Sequence, residues 1–371
     1  MFDTLPAVGD PVAFRWRRAD DDDGQPMLFA EEELVDRHVG IGEYRGLEFL
    51  HVNARRVINE VPRTSQMPFR FTINAYRGCS HACAYCFARP THEYLGLGIG
   101  EDFERKLVVK VNAVERVRAE LRSARWHGEH IAMGTNTDPY QAAEGKYHLT
   151  QGIIRALTDA ANPFSILTKS TLVLRDLPLL VAAAARTEVR LDLSVGTLDR
   201  DVWKLTEPGT PPPERRLDAV RRLNDAGISC GVLVAPVLPG LSDRDDQIRA
   251  VVEASFNAGA TSVAASPLHL RPGVKEHYFG WLAEVRPDLL PRHERLFAGG
   301  AYQPQEERSR ISRIATDVAK DHCEGTTLKP GERQWTYLGE FDHLAKRHES
   351  TEDAPVYEQH GRIPVQLRLM H

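Results

Sequence analysis

Along the chain, short runs dense in valine, isoleucine and threonine alternate with longer stretches whose apolar residues recur at helical spacing. Six runs predict strands: residues 69–76, 129–135, 163–170, 188–196, 228–236 and 261–270. Between them, residues 108–124, 150–162, 176–186, 213–227 and 242–259 predict helices. In 213–227, Leu217, Val220 and Leu223 fall on one face and Gly227 supplies a stop. Six strands, each followed by a helix, predict repeated βα units and a parallel sheet. Six is short of the eight that close a full barrel, so the pattern alone fits a partial barrel or an open doubly wound sheet. Residues 1–65 read as a partly flexible N-terminal extension with a solvated acidic run at Asp20–Asp23. Residues 66–290 form the βα core, and residues 291–371 a polar helical region ending in a loose tail.

Composition narrows the class. With 371 residues and 42 % hydrophobic content, the chain has ample material for a core. Its net charge of −5 gives no bulk attraction to nucleic acid, so a polyanion site would need a local basic patch. No run reaches the roughly 18 apolar residues of a membrane span, and the N-terminus has no basic segment leading into an apolar one. Five cysteines without the spacing of a disulfide framework favour a reducing cytoplasm and a metal site.

The chemistry is concentrated in Asn74–Pro90, "NAYRGCSHACAYCFARP". Cys79, Cys83 and Cys86 are spaced C-x3-C-x2-C in the loop that follows the first predicted strand, on the face where βα barrels build active sites. Gly78 allows the tight turn that lets several thiolates converge. Three thiolates from one loop can hold three corners of a [4Fe–4S] cluster, leaving one iron open. Zinc bound as Cys3His, with His81 or His92 as fourth ligand, is the alternative. The reading from a different class is a non-catalytic zinc or iron–sulfur module that serves as a binding or scaffold protein. Cys230, in a predicted strand, and Cys323, near the end of a helical stretch, read as core residues.

Cys79-Ser-His-Ala-Cys83-Ala-Tyr85-Cys86 after a first strand resembles the signature of the radical S-adenosylmethionine superfamily. The likeness runs from about Met67 to Leu290. "GTNTDPYQAAE" follows the second strand, "ILTKS" the third, "LSVGTLD" the fourth and "APVLPGLSD" the fifth. Together these are most similar to the spore photoproduct lyase, or DNA repair photolyase-like, branch. The resemblance implies an α/β fold, a partial (β/α)6 TIM-like barrel with an N-terminal extension and a helical C-terminal region. It implies a cluster on Cys79, Cys83 and Cys86 whose open iron takes the amino and carboxylate groups of S-adenosylmethionine. A reducing partner of flavodoxin or ferredoxin type would drive cleavage to methionine and a 5′-deoxyadenosyl radical, which would take hydrogen from a substrate: nucleic acid foremost, with a peptide or a small molecule open.

The resemblance also assigns cofactor contacts. Tyr85 stands where the family packs an aromatic near the adenine. Thr135, Asn136 and Asp138, with Thr137, offer hydroxyl, amide and carboxylate groups to the ammonium and ribose, and Pro139 fixes the turn. Lys169 would pair with the cofactor carboxylate, and Ser194 would donate a hydrogen bond to the cofactor. His269 and Arg271, after the sixth strand, face the same end as candidate substrate contacts. "GLGIG", Gly96–Gly100, lacks the context of a nucleotide loop. Arg308, Arg310 and Arg313, beside Glu306 and Glu307, read as a solvated helix face.

Two positions depart from the lyase pattern. Where the lyase has the cysteine that returns hydrogen to its lesion, this chain has Gly134. Where it has a tyrosine after the third cluster cysteine, this chain has Phe87. Repair of a thymine dimer by the lyase route is therefore not expected, while cofactor cleavage is. Finally, Gln25–Phe29 (QPMLF) and Gln366–Met370 (QLRLM) resemble the short peptide that docks on the bacterial sliding clamp.

Overall fold

The computed structural model describes residues 32–62 and 67–324. The two clamp-like peptides lie outside them, as does the side chain of Cys323. Eleven strands form two sheets among the described residues: β1 (Glu32–Val39), β2 (Glu48–Ala54), β3 (Ile58–Glu60), β4 (Phe71–Ile73), β5 (Tyr76–Arg77), β6 (Lys106–Lys110), β7 (Ile131–Met133), β8 (Phe164–Thr168), β9 (Val189–Ser194), β10 (Ser229–Val237) and β11 (Val263–Pro267).

The six strands predicted for the core are β4, β7, β8, β9, β10 and β11. They lie side by side in chain order, every pair parallel, with β3 antiparallel at the β4 edge. This is the partial (β/α)6 barrel that the sequence predicts, an open sheet with a βα repeat. Its strands are apolar because helices cover them. Ile131, Phe164, Leu191 and Leu193 have no exposed surface, and neither do Leu157, Val220 and Leu223 on the covering helices. The helix Pro213–Asp225 buries the predicted face, and Gly227 follows it at φ 81°.

Two boundaries differ from the sequence expectation. Residues 108–110 open a predicted helix but belong to β6, and the helix begins at Ala113. Leu107, Val108 and Val109 are all fully buried. A run apolar on both faces with two β-branched residues suits a central strand, not one face of a helix. The first predicted strand also splits, because Tyr76 and Arg77 leave β4 to pair with β6.

β1, β2, β6 and β5 make the second sheet, in that order. β1 and β2 pair antiparallel, while β2 and β6 pair parallel. Residues 48–54 are thus joined by backbone hydrogen bonds to a strand beyond the cysteine loop. On the far side, Cys83 and Tyr85 share an apolar cluster with Leu268, Leu270, Val274 and Tyr278. The helix Val274–Val285 is in this way packed onto the cysteine loop. Among the described residues, no helix is long and apolar enough to cross a membrane.

Candidate active site

The cysteine loop is held from four directions. The Cys79 N–H donates to the Phe103 carbonyl at 2.9 Å, and Ala84 N–H to the Thr206 carbonyl at 3.0 Å. The fully buried Arg89 donates to the Cys83 carbonyl through Nε (3.2 Å) and Nη2 (2.9 Å), and its Nη1 reaches the carbonyls of Ile99 and Gly100 at 2.9 and 3.2 Å. "GLGIG" thus supplies two backbone acceptors to an arginine, and no nucleotide cradle. Gly78 has φ +72°, and a Cβ there would meet the His92 ring and the Phe103 carbonyl at 2.8 Å. Only glycine meets both demands. Ala82, between the cysteines, is left-handed at φ 53°, a geometry that costs a side chain about 1–2 kcal/mol. The Gly209 N–H donates to the neighbouring His81 carbonyl at 3.1 Å.

The fourth support is the loop after β7. Thr137 Oγ1 donates to the Gly78 carbonyl at 2.6 Å, and Gln141 Nε2 donates to the same oxygen at 2.9 Å. The Ser80 N–H donates to Gln141 Oε1 (3.0 Å), and the Ala142 N–H to Ser80 Oγ (3.1 Å). Asp138 is equally engaged. Its oxygens accept from the Tyr140 N–H, Thr168 Oγ1 and the Lys169 N–H at 2.7–2.8 Å, and His81 Nδ1 lies 3.4 Å away. Burial pushes the Asp138 carboxyl up, but His81 and these donors hold it below its usual range. For His81 the order is the same: burial opposes the charge, and Asp138 with Cys79 raises it to about 10.

The TNTD stretch therefore divides. Thr137 and Asp138 turn inward and fasten loops together. Thr135 and Asn136 keep polar groups available: Thr135 Oγ1 accepts one bond of 3.3 Å from Asn74, and the Asn136 amide side chain bonds no protein group among the described residues.

Lys169, Ser194 and Tyr85 converge. Lys169 Nζ is 2.5 Å from Ser194 Oγ, 3.2 Å from the Ala235 carbonyl and 5.7 Å from the centre of the Tyr85 ring. The convergence runs through two residues that the sequence did not mark. Glu207 pairs with Lys169 (3.2 Å) and Arg216 (2.5 Å) and accepts from the Tyr85 hydroxyl. Glu207 and Arg216 are 4 % and 1 % exposed. Burial pushes the Glu207 carboxyl up, but Arg216 and then Lys169 outweigh it and hold the group at about 2. Both residues lie in "TEPGTPPPERR", where nothing in spacing or pattern separates a buried ion pair from surface charge.

The three cysteines are free, with Cys79 and Cys83 buried and Cys86 partly so. Burial pushes the Cys83 thiol well up and the Cys86 thiol to about 11. Metal binding displaces such protons. A loop this firmly framed, presenting three sulfur ligands, fits an iron–sulfur cluster. Of the histidines in the zinc alternative, His81 pairs with Asp138, while His92 Nε2 meets the Lys106 carbonyl at 2.9 Å and its Nδ1 is buried without a partner.

Gly134 also has a steric explanation. Its φ is +87°, and a Cβ would lie 1.9 Å from the Leu167 carbonyl oxygen. No side chain fits, cysteine included. Gly134→Ala is expected to lower stability by roughly 2–4 kcal/mol, a left-handed backbone penalty plus an overpacked contact. Urea unfolding checks this, and a loss below about 1 kcal/mol would refute the crowding.

Residues 73–251 match the Radical SAM superfamily. An uncharacterized protein of Mycobacterium tuberculosis (strain ATCC 25618 / H37Rv) is 43 % identical over 290 residues, 78 % of this chain and 85 % of that one. The radical SAM Nalpha-GlyT isomerase of Pseudomonas phage M6 is 28 % identical over 169 residues, 45 % of this chain and 33 % of that one. Among solved structures, spore photoproduct lyase complexed with dinucleoside spore photoproduct superposes with a TM-score of 0.54 over 74 % of this chain and 79 % of the lyase. At 17 % identity that is a likeness of fold. The chain belongs to the radical SAM superfamily and is a radical SAM enzyme, working with a [4Fe–4S] cluster and S-adenosylmethionine on the fold it shares with spore photoproduct lyase.

Proposed function

We propose that this enzyme cleaves S-adenosylmethionine reductively at a cluster held by Cys79, Cys83 and Cys86, and removes hydrogen from a nucleic-acid substrate. When bound, the cluster would supply the electron, delivered to it by a flavodoxin- or ferredoxin-type donor, and S-adenosylmethionine the reactive group. This chain's residues bind and orient. Lys169 is the cation for the cofactor carboxylate, with Ser194 beside it. Thr135 and Asn136 offer the uncommitted hydroxyl and amide. Tyr85, fixed by Glu207, closes the adenine side. Thr137, Asp138 and Gln141 act through the loop by holding the cysteines in place.

The observation that carries the substrate class is an aromatic wall beside the cysteine loop. Phe87, directly after Cys86, stacks near His269 (6.3 Å between centroids, 29° between planes), and His269 stacks on Tyr302 (5.6 Å, 15°). Burial, then Arg271, lowers His269 to about 4, so the ring is neutral near pH 7. Arg271 lies over the Phe87 ring and donates one bond, to the Phe87 carbonyl at 3.1 Å. Its Nε and Nη1 are buried with no partner. Unpaired guanidinium donors in a dry site call for an anion. Arg271 is 1 % exposed and lies over Phe87, and Arg308 lies over Tyr302, so a ligand reaches these donors only as the wall opens; a phosphate flanked by bases then supplies both the anion and rings that stack.

The test uses cluster-loaded enzyme with S-adenosylmethionine, a reductant, and single-stranded DNA or RNA oligonucleotides. Oligonucleotide should bind and stimulate 5′-deoxyadenosine formation. Arg271→Met should weaken oligonucleotide binding about 10–100-fold, the worth of a charged hydrogen bond. Oligonucleotides that neither bind nor stimulate would refute the substrate class while leaving cofactor cleavage intact.

A further inference from the structure

A second cluster of ligand-type side chains lies on the small sheet, outside the radical SAM match. Asp36 and His38 of β1 and His51 of β2 offer a carboxylate oxygen and two imidazole nitrogens that all lie within 4.8 Å of one another. His38 Nε2 is 2.9 Å from Asp36 Oδ2, and the His38 and His51 ring centroids are 4.3 Å apart.

The strand register explains the grouping. Leu34 pairs with Val52, yet Asp36 pairs with His51 and His38 with Phe49, so β1 carries an extra residue at this point. Without that bulge, continuing from Leu34 opposite Val52 would place Asp36 opposite Leu50 and His38 opposite Glu48. Both would then face away from His51, because a one-residue slip exchanges the two faces of a strand. A bulge of this kind re-aims side chains. A lone Asp–His pair needs only one strand. The third ligand, from the neighbouring strand, is reached only because of the extra residue.

The surroundings suit ligation. The Tyr147 hydroxyl, 2.7 Å from His51 Nε2, orients that ring, as the outer partners of metal-bound histidines do. Tyr147 ends a helix anchored by the fully buried Glu144, which pairs with Arg175 at 2.7 Å.

We propose that Asp36, His38 and His51 form a binding site for a divalent first-row transition ion, zinc above all. Two imidazoles and one carboxylate are a borderline-soft donor set that leaves a coordination position for water or an exogenous ligand. An ion there fastens the edge strand β1 to β2.

The test uses full-length, cluster-loaded enzyme with one equivalent of zinc. X-ray absorption at the zinc edge should show only nitrogen and oxygen neighbours, at about 2.0–2.1 Å. Competition with a chromophoric chelator should show His38→Ala and His51→Gln each weakening zinc binding more than about tenfold, a loss that removing even an outer-shell partner reaches. Iron content and the zinc-free melting curve serve as controls for folding. If either histidine variant fails them, Asp36→Asn, which preserves shape, decides. Sulfur neighbours at about 2.3 Å, or zinc affinity unchanged in the folded variants, would overturn the proposal.

Discussion

Cys83→Ala is expected to abolish the visible iron–sulfur absorption, most of the bound iron, and 5′-deoxyadenosine formation down to background. The reason is local. A cluster held by one loop has three protein ligands and an open iron, and two thiolates leave it exposed on two corners. The loop itself should survive, because its frame is made of backbone groups. Arg89 grips the Cys83 carbonyl, which alanine retains, and Thr137 and Gln141 grip the Gly78 carbonyl. A melting curve near wild type together with lost iron would therefore assign the loss to ligation. Cys230→Ala is the matched control. Cys230 is fully buried in β10 among core residues, so its removal should cost some stability and leave iron and product unchanged. Iron and product at wild-type levels in Cys83→Ala would refute the assigned ligand set.

Arg216→Met is expected to destabilise the enzyme by about 3 kcal/mol, because it takes one of two cations from a buried carboxylate and leaves Lys169 to hold it. Arg216 Nη1 also holds the Ser194 carbonyl at 2.9 Å, so the same change should loosen the end of β9 beside Lys169. The pH dependence gives a second measure. Glu207 titrates at about 2 in the folded chain against an ordinary 4.5. A depressed carboxyl contributes stability that is fully present above the unfolded value and is lost as pH falls towards the folded one. The window is thus about pH 4.5 down to about 2, with a contribution on the order of 3 kcal/mol. Urea unfolding of iron-free protein at pH 6 and pH 3 should show about 2 kcal/mol of this loss in wild type and a smaller one in Glu207→Gln. Equal losses in both would place the acid sensitivity elsewhere.

The sequence conveyed the barrel because its signal is periodic. Buried parallel strands are short and apolar, their helices are longer and one-faced, and six such pairs repeat. It conveyed the cysteine loop because a metal site requires rare residues at close spacing. It did not convey the β2–β6 pairing or the helix-to-strand change at residues 108–110, since an apolar run buried on both sides looks alike in either state. The commitment of Asp138 and Thr137 to other loops was equally hidden, because a side chain's partner depends on what folds next to it. Glu207 and Arg216 are the clearest case. Their chemistry follows from burial, and burial is a property of the whole fold.

The supports of the cysteine loop also carry a timetable. Cys79 to Cys86 leave the ribosome early, but the groups that shape their loop come later: Phe103, then Thr137 and Gln141, then Thr206 and Gly209. Until about residue 210 has been made, the three thiols sit in a chain that cannot yet hold them at the corners of a cluster. On the proposed ligand set, iron and sulfide delivery is expected only after that point, and a peptide copied from residues 74–90 alone is expected to be a poor mimic of the centre.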